Sequence, residues 1–408
     1  MNPLLVSGFG TSINVNKRKL IVTNKLQKQR LEFNPHKIEH DSIIIDGHTG
    51  NISFEAMRWT VKHGINLSLL NWNGNLLSVT LPEEPKSGGL KIKQYQKYLD
   101  LSFRKEIATK IIESKISHSL NLLEQLSKYY DIDFGKIQAS FERESSHLKP
   151  NSGNIFSDLM TYEGRIAQIY FEQLSKIINV VAPEFGFDIR KNKSISRNYN
   201  ASDEVNALFN YGYAILESEI RKSVNAVGLD GSIGFLHEIT PSRTPLIYDL
   251  QELFRWIIDL SVIQLLEERK IKKADFIITE SYHMRLREKT AKLLIEKISA
   301  NFNCKIPYKG KNYHYQNVLF DNIRSFTHYI SDKKKIFDFD IPKFEIQRND
   351  TVLLREKIIG LTPDQRKKLG INKSTLWYMK KNIVNEKSVK IYGKILSKLN
   401  YLESEKPK

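Results

Sequence analysis

Residues 205–237 read VNALFNYGYAILESEIRKSVNAVGLDGSIGFLH and contain the change of pattern that decides the fold of the central chain. Apolar residues recur there at intervals of three and four, as they do throughout residues 91–330, which is the period of a buried helix face. A turn rich in Gly and Asp then places His237 directly after Phe235 and Leu236. The sequence predicts a largely helical region with a turn that presents an imidazole.

The chain before this region has a different pattern. Short apolar or alternating runs separated by Gly, Asn and Asp are typical of strands. Five such runs occur here: LLVSGFG, INVNKRKLIVT, SIIIDG, INLSLLNW and NLLSVTL. One helix is predicted among them, SFEAMRWTVKHG, with Ser53 as N-cap and Gly64 at its end. The Pro- and Gly-containing stretch LPEEPKSGGL cannot sustain either pattern and indicates a boundary. We expect a β-rich domain over 1–85 and a helical domain over 86–330.

The C-terminal part combines a linker with a basic segment. Residues 331–347 are predicted to be the linker, and residues 348–408 hold 15 Lys and Arg against 6 Asp and Glu, a net charge of +9. Four short helices are predicted in VLLREKIIG, LTPDQRKKLG, INKSTLWYMKKNI and SVKIYGKILSKL. The second has Thr362 as N-cap and Pro363 at its first position, and the short turn before the third helix favours a helix-turn-helix domain.

A helix-turn-helix domain contacts DNA with the start of its second helix and with flanking basic residues. A helical bundle with a solvated basic face is the alternative. The candidate DNA-contacting residues are Arg366, Lys367, Lys373, Ser374, Thr375, Trp377, Tyr378, Lys380 and Lys381.

Composition narrows the class of protein. The 408 residues carry 63 Lys and Arg against 46 Asp and Glu, a net charge of +17, which favours a polyanionic partner such as nucleic acid. A merely solvated lysine-rich surface is the alternative. Cys304 is the single cysteine, so an intramolecular disulfide and a thiolate metal cluster are excluded. No apolar run matches a membrane span or a secretory leader, and we expect a cytoplasmic protein.

Four titratable residues lie in apolar surroundings within the helical region. Glu163 precedes Gly164, which leaves space beside its carboxylate, and Asp249 and Glu252 lie three apart on one face of an otherwise apolar helix. Glu163, the carboxylate pair and His237 supply oxygen ligands and an imidazole, the set preferred by Mg²⁺ or Mn²⁺. The alternatives are a solvated helical glutamate, a structural histidine and a pairing of the carboxylates with Arg255.

Four stretches resemble, in the same order, the CRISPR-associated spacer-acquisition integrase family, metal-dependent nucleases and integrases that insert DNA into repeat arrays. They are SIIIDGHTGNISFEAMRWTVKHGINLSLLNWNG, YEGRIAQIYF, VNALFNYGYAILESEIRKSVNAVGLDGSIGFLH and LIYDLQELFRWIID. The resemblance spans about residues 4–325. It implies that Glu163, His237 and Glu252 are the metal ligands, Glu252 standing where other members have Asp. Asp249 matches the acidic residue before that last ligand, and by the resemblance it too belongs to the catalytic set.

The predicted fold class is therefore α+β multidomain, with an N-terminal β-sandwich-like domain, a large all-helical catalytic domain and a C-terminal helix-turn-helix domain. An integrase core with that added domain resembles the casposases, the transposases of casposon mobile elements. The resemblance implies an endonuclease and integrase that joins the 3′-hydroxyl ends of an element to target DNA. Because two ends meet one target, at least a homodimer is expected, and a casposase needs no other protein.

Two other functions remain open from the sequence. A CRISPR spacer-acquisition integrase with an unusual C-terminal segment would share the chemistry but need a small partner protein and a repeat array. A catalytically silent DNA-binding protein of the same fold would share only the architecture.

Overall fold

Short strands build the N-terminal region of the chain. The computed structural model describes residues 1–7, 10–47, 49–71, 73–146, 155–190, 200–241, 243–280, 282–346 and 358–384. The strands of the N-terminal region are β1 (Pro3–Val6), β2 (Thr11–Asn16), β3 (Lys19–Asn24), β4 (Gln29–Phe33), β5 (Ser42–Ile45), β6 (Gly50–Ile52), β7 (Asn66–Leu70) and β8 (Leu76–Thr80). They form two four-stranded sheets, ordered β1-β5-β7-β8 and β4-β3-β2-β6. Apolar side chains of both sheets share one core, so the predicted β-rich N-terminal region is confirmed.

The one helix among these strands is α1 (Phe54–Lys62). The side chain of Ser53 accepts a hydrogen bond from the backbone N–H of Ala56, which confirms the predicted N-cap. Ala56 and Trp59 project from the helix into the shared core. The run INVNKRKLIVT is a hairpin of β2 and β3, because Lys17 and Arg18 have positive φ angles of 46° and 65° and reverse the chain.

Long helices form the body of the protein after residue 87. They are α2 (Gly88–Leu99), α3 (Leu101–Ser127), α4 (Phe134–Ser146), α5 (Ile155–Val181), α6 (Glu204–Val227), α7 (Pro245–Glu252), α8 (Arg255–Glu267), α9 (Glu288–Phe302) and α10 (Tyr315–Ile330). α3 packs against α5 and α7, while α6 packs against α7, α9 and α10. Among the described helices, none combines the length and the apolar character that a membrane span requires.

The prediction that residues 86–330 are all helical is wrong in one part. Two hairpins interrupt the helices, formed by β9 (Phe276–Ile278) with β10 (Met284–Leu286) and by β11 (Lys305–Tyr308) with β12 (Lys311–His314). Their strands have only three or four residues, too few for an alternating pattern to be distinguished from a helical one. At the second turn Lys309 and Gly310 have positive φ angles of 48° and 76°.

An extended segment, residues 331–345, follows α10 and packs on the helical body. Phe337, Phe339 and Phe344 are buried. Side chains of the body bind its backbone, since Asn121 donates to the carbonyl oxygen of Phe344 at 3.2 Å and Tyr315 donates to that of Pro342 at 2.7 Å. The segment is therefore fixed by both apolar burial and hydrogen bonds.

The described residues divide into two units, and the helical body, the N-terminal sheets and this segment form the first. The second includes residues 358–384, with helices Pro363–Lys368 and Lys373–Val384. Thr362 and Gln365 form a capping box at the start of the shorter helix, which confirms that predicted N-terminus. Most of the predicted VLLREKIIG helix and all of the predicted SVKIYGKILSKL helix lie outside the described residues. The core of this unit is made of Ile358, Leu361, Leu369, Ile371, Leu376, Met379 and Ile383.

Candidate active site

Three of the sequence-predicted residues line one cavity of about 440 Å³. Glu163 lies in the N-terminal third of α5, Glu252 is the last residue of α7, and His237 lies in the loop that links α6 to α7. A Cβ atom at Gly164 would meet no atom within 4 Å, so the space expected beside the Glu163 carboxylate is present. Two helices and the loop between α6 and α7 therefore bring the two carboxylates and the imidazole to the same cavity.

Glu252 is an ionised carboxylate in a buried setting, with 7% of the residue exposed. Arg255 donates to its Oε1 at 2.6 Å, and Lys115 Nζ lies 2.6 Å from its Oε2. Burial raises the pKa of Glu252, but the charges of Arg255 and Lys115 outweigh burial and lower the pKa to about 2. The contact between Lys115 and Oε2 lacks hydrogen-bond geometry, so among the described residues Oε2 has no hydrogen-bond partner.

Lys115, which the sequence reasoning missed, joins the two carboxylates. Its Nζ donates a hydrogen bond to Glu163 Oε1 while it pairs with Glu252. A single cationic atom is thus in contact with an oxygen of each carboxylate. The signal in the sequence is a lysine within the apolar face of α3, four residues after Ile111 and three after Ile112.

Asp249 does not line the cavity but fixes the turn that carries His237. The carboxylate is fully buried and accepts hydrogen bonds from the backbone N–H groups of Phe235, Leu236 and His237 at 2.5, 3.0 and 2.9 Å. It also contacts Nδ1 of His237 at 2.7 Å. Gly234 permits this approach, because a Cβ there would lie 2.6 Å from Cβ of Pro245 and 2.8 Å from Oδ2 of Asp249.

The contact with Asp249 sets the protonation of His237. Burial lowers the pKa of the imidazole, but the hydrogen bond and the charge of Asp249 outweigh burial and raise it above the ordinary value. With Nδ1–H donating to Asp249, the other ring nitrogen, Nε2, has no hydrogen-bond partner among the residues that the structure describes. A carboxylate that holds Nδ1–H in this way is the usual support of a metal-binding histidine.

The donor set fits a hard divalent cation. Glu163 and Glu252 already contact one cationic atom together, Oε2 of Glu252 is buried without a hydrogen bond, and Nε2 of His237 is free among the described groups. As the side chains stand, no three His, Cys, Asp or Glu residues in the described part of the chain converge closely enough to enclose a metal. The cation between the carboxylates is the Lys115 ammonium.

A hydrogen-bonded cluster forms the inner wall of the cavity. The buried Asp259 accepts hydrogen bonds from the hydroxyl groups of Tyr170 at 2.8 Å and Tyr213 at 2.5 Å. The guanidinium of Arg255 lies 4.3 Å from the centre of the Tyr213 ring. Arg255 is thereby held by Tyr213 on one side and by Glu252 on the other.

A second cavity, of about 410 Å³, meets the first at His237. Phe156, Met160 and Tyr248 give it apolar walls, and Arg243 provides a cationic group. His237 lines both cavities, which have similar volumes.

The candidate DNA-contacting residues of the second unit divide into two groups. Arg366 donates to the carbonyl oxygen of Ile371 at 2.8 Å and Lys380 to that of Leu361 at 2.9 Å, so both stabilise the unit itself. The other group is exposed, and it consists of Lys367, Lys373, Ser374, Thr375, Trp377, Tyr378 and Lys381. Trp377 and Tyr378 are 60% and 62% exposed, and Lys381 lies over the Trp377 ring.

Comparison with known proteins defines the class. The family model described as CRISPR associated protein Cas1 matches residues 4–300, and the chain belongs to this family. A CRISPR-associated endonuclease Cas1 of Archaeoglobus fulgidus is 25% identical over 352 residues, which cover 82% of this chain and 98% of the relative.

Solved structures agree with this assignment. A casposase bound to integration product is 36% identical, with a TM-score of 0.77, and the match covers 88% of this chain and 99% of the casposase. A Cas1 protein from Thermotoga maritima has a TM-score of 0.65 at 16% identity, covering 81% of this chain and 97% of that protein, and shares the fold. The sheet-containing N-terminal region and the helical body are thus a Cas1-type architecture.

Proposed function

We propose that the chain is a metal-dependent DNA integrase of the casposase type, which joins 3′-hydroxyl ends of a mobile element to target DNA and also cleaves DNA. One observation carries the proposal. Two carboxylates in contact with a single cation share a cavity with an imidazole whose Nδ1 is held by a buried aspartate. This arrangement is suited to phosphoryl transfer and has no need of a covalent protein intermediate.

Glu163, Glu252 and Nε2 of His237 would hold Mg²⁺ or Mn²⁺. When bound, a divalent cation supplies Lewis acidity at the scissile phosphate. Asp249 positions His237 through Nδ1 and keeps Nε2 available as a ligand. Arg255 balances the charge of Glu252 and holds its carboxylate in place. We assign no nucleophilic role to any Ser, Tyr or Cys.

The two cavities that meet at His237 support a reaction between two DNA segments. Joining requires a 3′-hydroxyl end and a target phosphate at the same point, and each cavity has room for a nucleotide-sized group. The first cavity contains the carboxylates, and the second combines Phe156, Tyr248 and Arg243 as stacking and phosphate-binding groups. Two ends joined to one target imply at least a homodimer.

The basic C-terminal segment favours a transposase. We propose that residues 348–408 form a helix-turn-helix DNA-binding domain whose exposed face, with Trp377, Tyr378 and Lys381, contacts DNA. Helices Pro363–Lys368 and Lys373–Val384, separated by four residues, are consistent with this role. The 36% identity to a casposase over 88% of the chain supports the same reading, and no further protein would be required.

A CRISPR spacer-acquisition integrase is the second candidate, favoured by curated relatives named CRISPR-associated endonucleases. It would share the chemistry but act only with a small partner protein on a repeat array. A silent DNA-binding protein is disfavoured, because it would have no need to keep two carboxylates and an imidazole on one cavity, with Glu252 buried and ionised.

A strand-transfer assay separates these candidates. The purified protein is incubated with Mn²⁺, supercoiled plasmid and an oligonucleotide that ends in a 3′-hydroxyl, with a 3′-dideoxy oligonucleotide as control. A casposase yields joined products from the hydroxyl-ended oligonucleotide alone. Joining that appears only after a small partner protein and a repeat array are added would favour the CRISPR function. The absence of both joining and cleavage would favour a catalytically silent DNA-binding protein.

A further inference from the structure

We propose that Lys115 is an internal counter-cation of the metal site, which occupies the position of the divalent metal in the metal-free protein and must be displaced when the metal binds. This makes Lys115 a positioning residue of the reaction. The inference rests on the proposed function, since it concerns the ligands Glu163 and Glu252.

The contacts of Lys115 place it between both ligands. Its Nζ donates to Glu163 Oε1 and lies 2.6 Å from Glu252 Oε2. Its side chain is only 18% exposed, so the ammonium is held inside the cavity wall and not in bulk water. Arg255 contacts the other oxygen of Glu252, which leaves Oε2 with Lys115 as its close cation.

Charge balance shows why Lys115 and a divalent metal exclude each other. The two carboxylates carry two negative charges, which Lys115 and Arg255 neutralise. Two further positive charges in the same low-dielectric cavity would repel both cations at close range. A metal that contacts Glu163 and Glu252 therefore requires one of the two side chains to leave.

Lys115 is the cation that can move. Arg255 is fixed by two contacts, the hydrogen bond to Glu252 at 2.6 Å and the Tyr213 ring 4.3 Å from its guanidinium. Lys115 has a flexible four-carbon side chain, and its contact with Glu252 lacks hydrogen-bond geometry. Its release exposes one oxygen of each carboxylate at once, so the ammonium keeps the ligands together until the metal replaces it.

The test measures Mn²⁺ binding to the purified full chain by calorimetry, without DNA. Lys115→Met removes the competing charge but keeps the length of the side chain, so Mn²⁺ should bind about tenfold more tightly or better. Lys115→Arg keeps the charge and should not tighten binding. Lys110→Met is the matched control, because Lys110 lies on the same helix with 23% exposure and pairs weakly with Glu106 at 3.9 Å.

A second measurement uses the wild-type protein and does not depend on the variants folding. Lysine residues are labelled with an amine-reactive reagent in the absence and presence of Mn²⁺, and the sites are quantified by mass spectrometry. Labelling of Lys115 should rise severalfold when Mn²⁺ displaces its ammonium from the carboxylates. Labelling of Lys110 should stay constant.

The outcomes distinguish this inference from the proposed function. Equal Mn²⁺ affinity of wild type and Lys115→Met, together with labelling that Mn²⁺ does not change, would overturn the role of Lys115 while the metal site stands. Weaker binding to Lys115→Met would show that the lysine supports the metal and does not compete with it. Wild-type protein that binds no Mn²⁺ would overturn the metal site, and with it the counter-cation.

Discussion

The cavity in the helical body and the exposed face of the Lys373–Val384 helix differ in whether their side chains have close partners within the chain. In the cavity, Glu163, Glu252 and Lys115 are held by internal partners at close range. On the exposed face, Trp377 and Tyr378 project from the surface, more than half exposed. The first region is organised before any ligand arrives, whereas the second presents side chains whose partners would have to come from outside the chain.

This difference has an energetic consequence. A buried charge that loses one partner destabilises the fold by several kcal/mol, because the remaining group is neither solvated nor paired. An exposed side chain can change with little effect on folding. Stability and function should therefore be coupled in the cavity and separable on the exposed helix.

The largest effect should come from Asp249→Ala. The substitution leaves the backbone N–H groups of the His237 turn buried without an acceptor, so the free energy of unfolding should fall by about 3–5 kcal/mol and DNA joining should be lost. Denaturant unfolding measures the first effect and the strand-transfer assay the second. Asp338→Ala, at an exposed aspartate, is the control. A loss of stability below about 1 kcal/mol would mean that Asp249 does not hold the turn.

Substitution of the proposed ligands should lower activity and stability together, with the larger effect on activity. Glu163→Gln, His237→Ala and Glu252→Gln should each lower the rate of joining by about 10² to 10³-fold, because each removes a group that supports charge development at the phosphate. Affinity for DNA should stay within about twofold in a filter-binding or anisotropy measurement. Glu172→Gln, on the same helix as Glu163, is the matched control. Joining at the wild-type rate would remove that residue from the ligand set.

The exposed aromatic residues should affect DNA binding without affecting stability. Trp377→Ala and Tyr378→Ala should each weaken DNA binding by about 1–3 kcal/mol through lost stacking or base contacts. The free energy of unfolding should change by less than about 0.5 kcal/mol. Tyr282→Ala, at an exposed tyrosine of the helical body, is the control for a general surface effect. Unchanged DNA affinity in both variants would make the C-terminal unit a structural addition.

The smallest effect distinguishes two adjacent lysines. Lys380→Met removes the hydrogen bond to the Leu361 carbonyl oxygen and should destabilise the C-terminal unit by about 0.5–1.5 kcal/mol, seen as faster amide hydrogen exchange in residues 361–383. Lys381→Met should leave exchange unchanged and weaken DNA binding at low salt. If the two variants behave alike, the internal contact of Lys380 has no separate role.

The sequence predicted best where one local pattern decides the structure. Ser53 caps α1 as expected because N-cap preference depends on a few neighbouring residues. The apolar spacing through residues 91–330 likewise predicted helices such as α3, since a period of 3.6 sustained over many turns is typical of a helix. The hairpins at 276–286 and 305–314 were missed because strands of three or four residues are too short to show a period.

In the site, too, the sequence did not predict contacts between residues that lie far apart in the chain. Glu163, His237 and Glu252 were selected from the sequence, through their apolar surroundings and the family resemblance, and the structure brings them to one cavity. Lys115 was missed because its pairing with Glu163 spans 48 positions of the chain, and no local pattern records such a contact. Its presence in an apolar helix face was the available signal.

The most direct test of the central claim is the position of the metal itself. Crystals of the protein soaked in Mn²⁺ and measured at the manganese absorption edge would locate the ion by its anomalous scattering. We expect one peak in the cavity, coordinated by Glu163, Glu252 and Nε2 of His237, with the Lys115 side chain moved away from both carboxylates. A peak elsewhere, or Mn²⁺ absent while Lys115 still joins the two carboxylates, would contradict the account.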